Sequence, residues 1–284
     1  MENYEKRGYL LENFRLFHLS TPQAPKVELH YHEFCKLLLL LSGRGSYVVE
    51  GQRYLLQPGD AVLIGSRCVH RPELEQDTPY ERIIIFISPE FLQKASTDDF
   101  DLTECFGKKP VLRLPEPGRK KLFDLAAALE RDLSGEAYGR ELLSSAALLR
   151  LLVQLMRQQR YQGGCGPQPV ETQNSRVLEM MRYMDAHLEE DLDIDSIAEN
   201  FYISKYHMMR QFRRETGSSV YDYLIQRRLL HARELMRQGM RATEACYRSG
   251  FRSYSSFTRA YGRHFGTTPT GRADLSREAP AENE

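Results

Sequence analysis

One segment of this chain occurs twice, and the repetition dictates what its C-terminal third can become. From Ser204 the sequence reads SKYHMMRQFRR and runs on to Gly217; from Ser253 it reads SYSSFTRAYGR and runs on to Gly266. Both ends are displaced by the same 49 residues, 204 to 253 and 217 to 266. Each copy opens on a serine able to N-cap a helix and closes on a glycine able to take the left-handed position that ends one. Met208 and Phe212 correspond to Phe257 and Tyr261, an i, i+4 apolar pair that fixes the buried side of each helix. Arg210 corresponds to Arg259 and points the other way. Two similar short helices, apolar on one side and arginine-bearing on the other, suit a chain that reads two neighbouring grooves of DNA.

The flanking sequence supplies the rest of two helix-turn-helix units. Asp193 can cap a helix carrying Ile194, Ile197 and Ala198, and a turn near Tyr202 leads into the first repeat. A central helix over 220–236 presents Tyr223, Leu224, Leu230, Ala232 and Leu235 to a core. A second unit starts near Ala242, includes Cys246, turns at Gly250-Phe251 and enters the second repeat. Such units lay their second helix in the major groove with N-terminal side chains at base edges. The DNA-binding candidates are therefore Ser204, Lys205, Tyr206, Met209, Arg210 and Arg213, then Ser253, Tyr254, Ser255, Thr258, Arg259 and Arg263. Arginine reads guanine with two bonds, serine and threonine donate or accept, and methionine or tyrosine can touch a thymine methyl or a sugar. Arg227 and Arg228 on the central helix either touch phosphate or pair inside the core.

Charge agrees. The whole chain balances 39 Lys+Arg against 39 Asp+Glu, yet 200–272 holds thirteen arginines and one lysine against four acids. Arginine's dominance over lysine favours phosphate and guanine recognition over a merely solvated face.

The first part, to about Leu92, is punctuated like an all-β barrel and reads as a sandwich or small barrel rather than a parallel sheet. Apolar or alternating runs at Val27–His32, Cys35–Leu41, Ser46–Glu50, Arg53–Leu56, Ala61–Ile64 and Arg82–Ile87 are punctuated by turn signals. Those signals are Ser42-Gly43-Arg44-Gly45, Glu50-Gly51-Gln52, Pro58-Gly59-Asp60 and Arg71-Pro72-Glu73. Residues 100–118 form a Pro-containing connection, and helices follow over 119–133 and 140–160. The second helix has a wide apolar stripe, which either covers the barrel or makes a dimer; the two are compatible. Gln162-Gly163-Gly164-Cys165-Gly166-Pro167-Gln168-Pro169 is a flexible linker. The expected organisation is 1–160 for a sensing and dimerisation domain (barrel about 10–92, helices about 119–160), 161–173 for the linker and 174–272 for DNA binding. The five scattered cysteines lack metal spacing and read as reduced thiols. The N-terminus carries no signal peptide and no apolar run spans a bilayer, so the cytoplasm is the expected location.

Residues 192–236 and 243–269, above all ACYRSGFRSYSSFTRAYGRHFGTTP, resemble the DNA-binding domain of the AraC/XylS family of bacterial transcription regulators. The resemblance implies seven helices in two helix-turn-helix units joined by a long central helix, with Tyr206, Met209, Arg210, Tyr254, Ser255 and Arg259 at base edges. The first turn holds Tyr202 where the family usually has glycine, so it must form without glycine's freedom. The N-terminal part resembles the cupin-like effector domain of that family at His30-Tyr31-His32-Glu33, the glycines of 42–45, Pro58-Gly59-Asp60 and His70. His30 and His32, two apart on a strand, would share one face. His30, His32, Glu33, Lys36, His70 and Arg71 are the effector-binding candidates. Enzymatic cupins add a glutamate to such histidines; here Lys36 stands in its place, so a pocket without metal or cofactor and a chain without catalytic residues are expected. The resemblance implies a multidomain regulator with an all-β sensing part and an all-α reading part. Its expected partners are operator DNA, a small effector such as a sugar or other polar metabolite, a second copy of the chain and, for an activator, RNA polymerase. Two alternatives stay open: a metal-dependent cupin enzyme with a DNA-binding appendage, and a constitutive regulator whose barrel only dimerises.

Overall fold

Apolar runs cut by glycine and proline turns form nine strands among the residues that the computed structural model describes, 9–22, 27, 29–75, 78–107, 109–135, 138–161, 166–172 and 176–270. The chain divides into two units, Met1–Asn174 and Ser175–Glu284. In the first, β1 (Phe14–Thr21), β7 (Tyr80–Ile87), β2 (Cys35–Ser42), β5 (Asp60–Ile64) and β8 (Val111–Arg113) make one sheet in that order. A second sheet is ordered β6 (His70–Leu74), β3 (Gly45–Val49), β4 (Gln52–Leu56), β9 (Glu171–Thr172). Every pairing is antiparallel.

The two-residue period of a strand decides which side each residue serves. Leu38, Leu40, Val62, Ile64, Ile84 and Phe86 of the five-stranded sheet meet Tyr47, Val49, Tyr54 and Leu56 of the four-stranded one in a common core. Their alternates Leu37, Leu39, Leu63, Ile83 and Ile85 face outward onto α2 (Glu116–Ser134) and α3 (Arg140–Tyr161). α3 places Leu148, Leu151, Leu152 and Leu155 there with no residual exposure. Each such leucine contributes about 1.5–3 kcal/mol over an exposed one. Most of the wide stripe of α3 is thus accounted for by packing within the unit; Leu142 and Leu143 remain 76% and 54% exposed. The Pro58-Gly59-Asp60 turn is locked from below. The buried Asp60 carboxylate takes Nε and a terminal nitrogen of Arg113 at 2.9 and 2.7 Å and the Gln57 backbone N–H at 2.8 Å, joining β5 to β8.

Several expectations change. Val27–His32 is not a strand: among its described residues only His30 bridges, to His70. Arg71-Pro72-Glu73, expected as a turn, is the middle of β6, an edge strand, where proline's missing N–H leaves no ladder bond unmade. β1, β8 and a short helix α1 (Pro89–Ala95) carry no signal the sequence reading used. Residues 162–165 of the expected linker lie outside the described residues. Beyond them the chain returns to the sheet, where the Val170 N–H donates to the Arg53 carbonyl and β9 pairs with β4.

The second unit contains α4 (Arg176–Ala186), α5 (Ile194–Asn200), α6 (Lys205–Thr216), α7 (Val220–Arg237), α8 (Ala242–Arg248) and α9 (Tyr254–Phe265). The described residues therefore show six helices, against the seven that the family resemblance implies. Leu229, Ala232 and Leu235 of α7 pack with Ala245, Cys246, Phe251, Phe257 and Tyr261. Arg227 and Arg228 belong to this interior. Arg227 grips Asp185 of α4 at 2.6 and 2.9 Å, and Arg228 donates to the carbonyls of Leu188 and Glu190. No helix among the described residues is long and apolar enough to cross a membrane.

Candidate functional site

The sequence repeat becomes a repeat in space. α6 and α9 are each twelve residues long; Ser204 and Ser253 cap them through the N–H groups of His207 and Ser256. Gly217 and Gly266 end them at φ +71° and +70°. Met208 and Phe212, like Phe257 and Tyr261, are buried, so the remaining sides are presented outward. On α6 that side carries Tyr206, 85% exposed, with Met209, Arg210 and Arg213. On α9 it carries Ser255, Arg259 and Arg263.

Five candidates are engaged otherwise. The hydroxyls of Ser204 and Ser253 are used as caps. The Lys205 ammonium bonds the Asp195 carboxylate at 2.8 Å. Tyr254 is half-buried, its ring 5.9 Å from that of Phe257, and the Thr258 hydroxyl donates to the Tyr254 carbonyl at 2.8 Å. Three exposed residues were missed: His207, Ser256 and Arg214. The 49-residue offset pairs His207 with Ser256 and Arg214 with Arg263, so applying it strictly would have found them. The turns before the two helices start alike, the second being one residue longer. Tyr202 and Gly250 each follow a helix C-cap and adopt φ +54° and +84°.

In the first unit, His30, His32 and His70 converge, one nitrogen of each lying within 4.8 Å of the others. The His30–His70 bridge brings two of the rings to 4.3 Å; His32 and His70 are 4.8 Å apart, centroid to centroid. His32 is stacked on Phe34 at 3.9 Å and lies 6.0 Å from the Phe86 ring. Lys36, on the inner side of β2 and 3% exposed, places its ammonium 5.8 Å from that same ring. His32 Nδ1 is 2.6 Å from the Phe34 carbonyl and His70 Nδ1 is 2.9 Å from the Cys68 carbonyl. Burial, reinforced by the charge on Lys36 and by His30, holds His32 well below the ordinary histidine pKa. Burial together with His30, His32 and Lys36 does the same for His70. Both rings are neutral at physiological pH.

The other two effector candidates stand apart. Arg71 alternates with His70 along β6 and pairs with Glu73 on the opposite face. The Glu33 carboxylate accepts from Arg67 Nε at 3.1 Å. His30, His32, His70 and Lys36 are thus the candidates that lie together.

Comparison with known proteins places both halves. Residues 17–181 match a family model described as AraC-like ligand binding domain, and residues 197–271 match one described as helix-turn-helix domain. The HTH-type transcriptional activator RhaR of Cronobacter sakazakii is 28% identical over 246 residues, 84% of each chain. The activator RhaS of Escherichia coli is 26% identical over 251 residues, 87% of each. A crystal structure of ToxT from Vibrio cholerae with unsaturated fatty acid bound aligns at a TM-score of 0.38 and 12% identity, covering 92% of this chain and 95% of that one.

Proposed function

The chain belongs to the AraC family of transcription regulators, with a ligand-binding domain followed by a helix-turn-helix domain, and we propose that it is a cytoplasmic, dimeric activator that reads its operator through α6 and α9. The observation that carries this reading is the equivalence of the two helices: same length, same caps, same buried pair, and an arginine at the same exposed position. Tyr206, Met209, Arg210 and Arg213 then face one major groove; Ser255, Arg259 and Arg263 face the next, joined by His207, Ser256 and Arg214. The effector is a polar small molecule, a sugar or other hydroxylated or anionic metabolite, held among His30, His32, His70 and Lys36. Lysine and neutral imidazoles offer it hydrogen bonds in a dry setting, where such bonds are selective. Leu142 and Leu143, exposed at the start of α3, are the proposed contact with a second copy. The relatives named above are activators, so engagement of RNA polymerase and a regulatory rather than catalytic role are part of the proposal. Selection from a randomised operator library tests it: Arg210→Ala and Arg259→Ala should each relax preference at one or two base pairs in separate half-sites. Folded variants that select the parent sequence would remove α6 and α9 as readers.

A further inference from the structure

The histidine cluster has a geometry that effector recognition alone does not require. A backbone carbonyl only accepts, so the contacts of His32 and His70 with the Phe34 and Cys68 carbonyls place a proton on each Nδ1. Each Nε2 is then a lone pair. Both Nε2 atoms are sealed from solvent and make no hydrogen bond, although their rings are fully buried. A buried acceptor left in that state calls for a missing partner. His30 brings its own nitrogen to the same point, all three lying within 4.8 Å. Imidazoles fixed by an Nδ1–H to carbonyl bond, with Nε2 directed at a common centre, are arranged as metal ligands are. Closing three nitrogens from that spacing onto bonds of about 2.0–2.1 Å takes small rotamer adjustments.

We infer that His30, His32 and His70 form a three-imidazole site for a divalent ion of the zinc class, with its fourth position open. Among the described residues no carboxylate or thiol completes the group. Imidazole donors without carboxylate favour zinc, nickel or copper over magnesium or calcium. Lys36 occupies the inner face of β2 and shares the Phe86 ring with His32. Its ammonium opposes a bare dication but suits an anion on the open position, such as chloride, hydroxide or a carboxylate. The same charge that argued from sequence against a metal thus specifies its fourth ligand. The inference uses the proposed effector site, but it holds or fails without any effector present.

The test is metal titration of the full chain after dialysis against a chelator, in chloride buffer without effector. One Co2+ per chain should bind with the intense visible bands of a tetrahedral nitrogen site and no thiolate charge-transfer band, and Zn2+ should displace it. His70→Ala and His32→Ala should each weaken binding at least tenfold, with the circular dichroism spectrum retained. Lys36→Glu supplies an acid ligand and removes the repulsion, so it should tighten binding at least tenfold. That gain cannot come from misfolding. Absence of stoichiometric binding at micromolar metal, a thiolate band, or undiminished affinity in both histidine variants would overturn the site. A chain that fails here yet still answers an effector leaves the regulatory reading intact; one that binds metal but ignores every effector leaves only the metal site.

Discussion

Tyr202 and Gly250 hold equivalent left-handed turn positions, and the residue scale shows what each choice costs. Tyr202 is 95% exposed at φ +54°, so its side chain gains nothing from packing while its Cβ crowds the backbone. Replacing it by glycine removes roughly 1–2 kcal/mol of strain against roughly 0.5–1 kcal/mol of added chain entropy. Tyr202→Gly should therefore raise stability by about 0.5–1 kcal/mol, read from thermal unfolding; a lower midpoint would mean that Tyr202 packs or binds. Gly250 is the opposite case. A Cβ there would lie 2.0 Å from the Leu188 carbonyl oxygen and 2.7 Å from Arg228 Nε, which itself holds that carbonyl. Gly250→Ala combines strain with overpacking, and a loss of about 2–5 kcal/mol is expected. The family resemblance marked Tyr202 as standing where a glycine is usual, a comparison that turn chemistry makes possible because it is local. It left Arg227 and Arg228 undecided, because the Asp185 carboxylate and the 188–190 carbonyls that hold them lie some forty residues earlier in the chain.

At the scale of elements, caps and apolar pairs made α6 and α9 legible, including which sides would be buried. Lys205 and Tyr254 have partners that periodicity cannot see: a neighbouring helix supplies Asp195 to one, and Phe257 draws the ring of the other inward. The strands were readable where both faces are apolar, as in β2 and β7. β6 was not, since proline and charges at an edge look like a turn. Substituting Arg210 or Arg259 by alanine should cost about 1–3 kcal/mol at the cognate operator with thermal stability unchanged. Arg227→Ala should behave differently. It strips Asp185 of a two-bond partner in a largely buried setting and should lower stability by about 2–4 kcal/mol. The readout is the melting midpoint; unchanged melting with uniformly weaker DNA binding would return Arg227 to phosphate contact. The α9 helix also carries a pH response. Burial, with the charge on Arg233, pushes His264 down to about 4. Below the ordinary histidine value of about 6.5 the unfolded chain takes up a proton that the folded chain refuses. The contribution is thus complete above about pH 6.5 and is lost as pH falls toward 4. Parent and His264→Asn melts should show a difference that changes by roughly 1–3 kcal/mol across that window and is constant above it.

The whole molecule poses the question of where the first unit stops. Composition placed the boundary at residue 160, because a glycine-rich segment reads as linker wherever it begins. The chain instead re-engages the first unit after that segment. A Cβ on Gly166 would come within 2.2 Å of the Val111 carbonyl oxygen, which marks how closely the backbone lies against β8. Val170 and β9 then cover the otherwise open edge of β4 with backbone hydrogen bonds. An uncovered edge both loses those bonds and offers a template for pairing with other chains. A fragment of residues 1–174 should accordingly melt higher and aggregate less than one of residues 1–160. Each lost bond is worth about 0.5–1.5 kcal/mol, and a difference of at least that size is expected. Gly166→Val in the longer fragment should reproduce much of the loss by lifting the strap from β8. If the strap also matters to dimerisation, sedimentation will show it, since both fragments keep Leu142 and Leu143. A 1–160 fragment as stable as 1–174, with the same sedimentation, would return residues 166–172 to the status of linker.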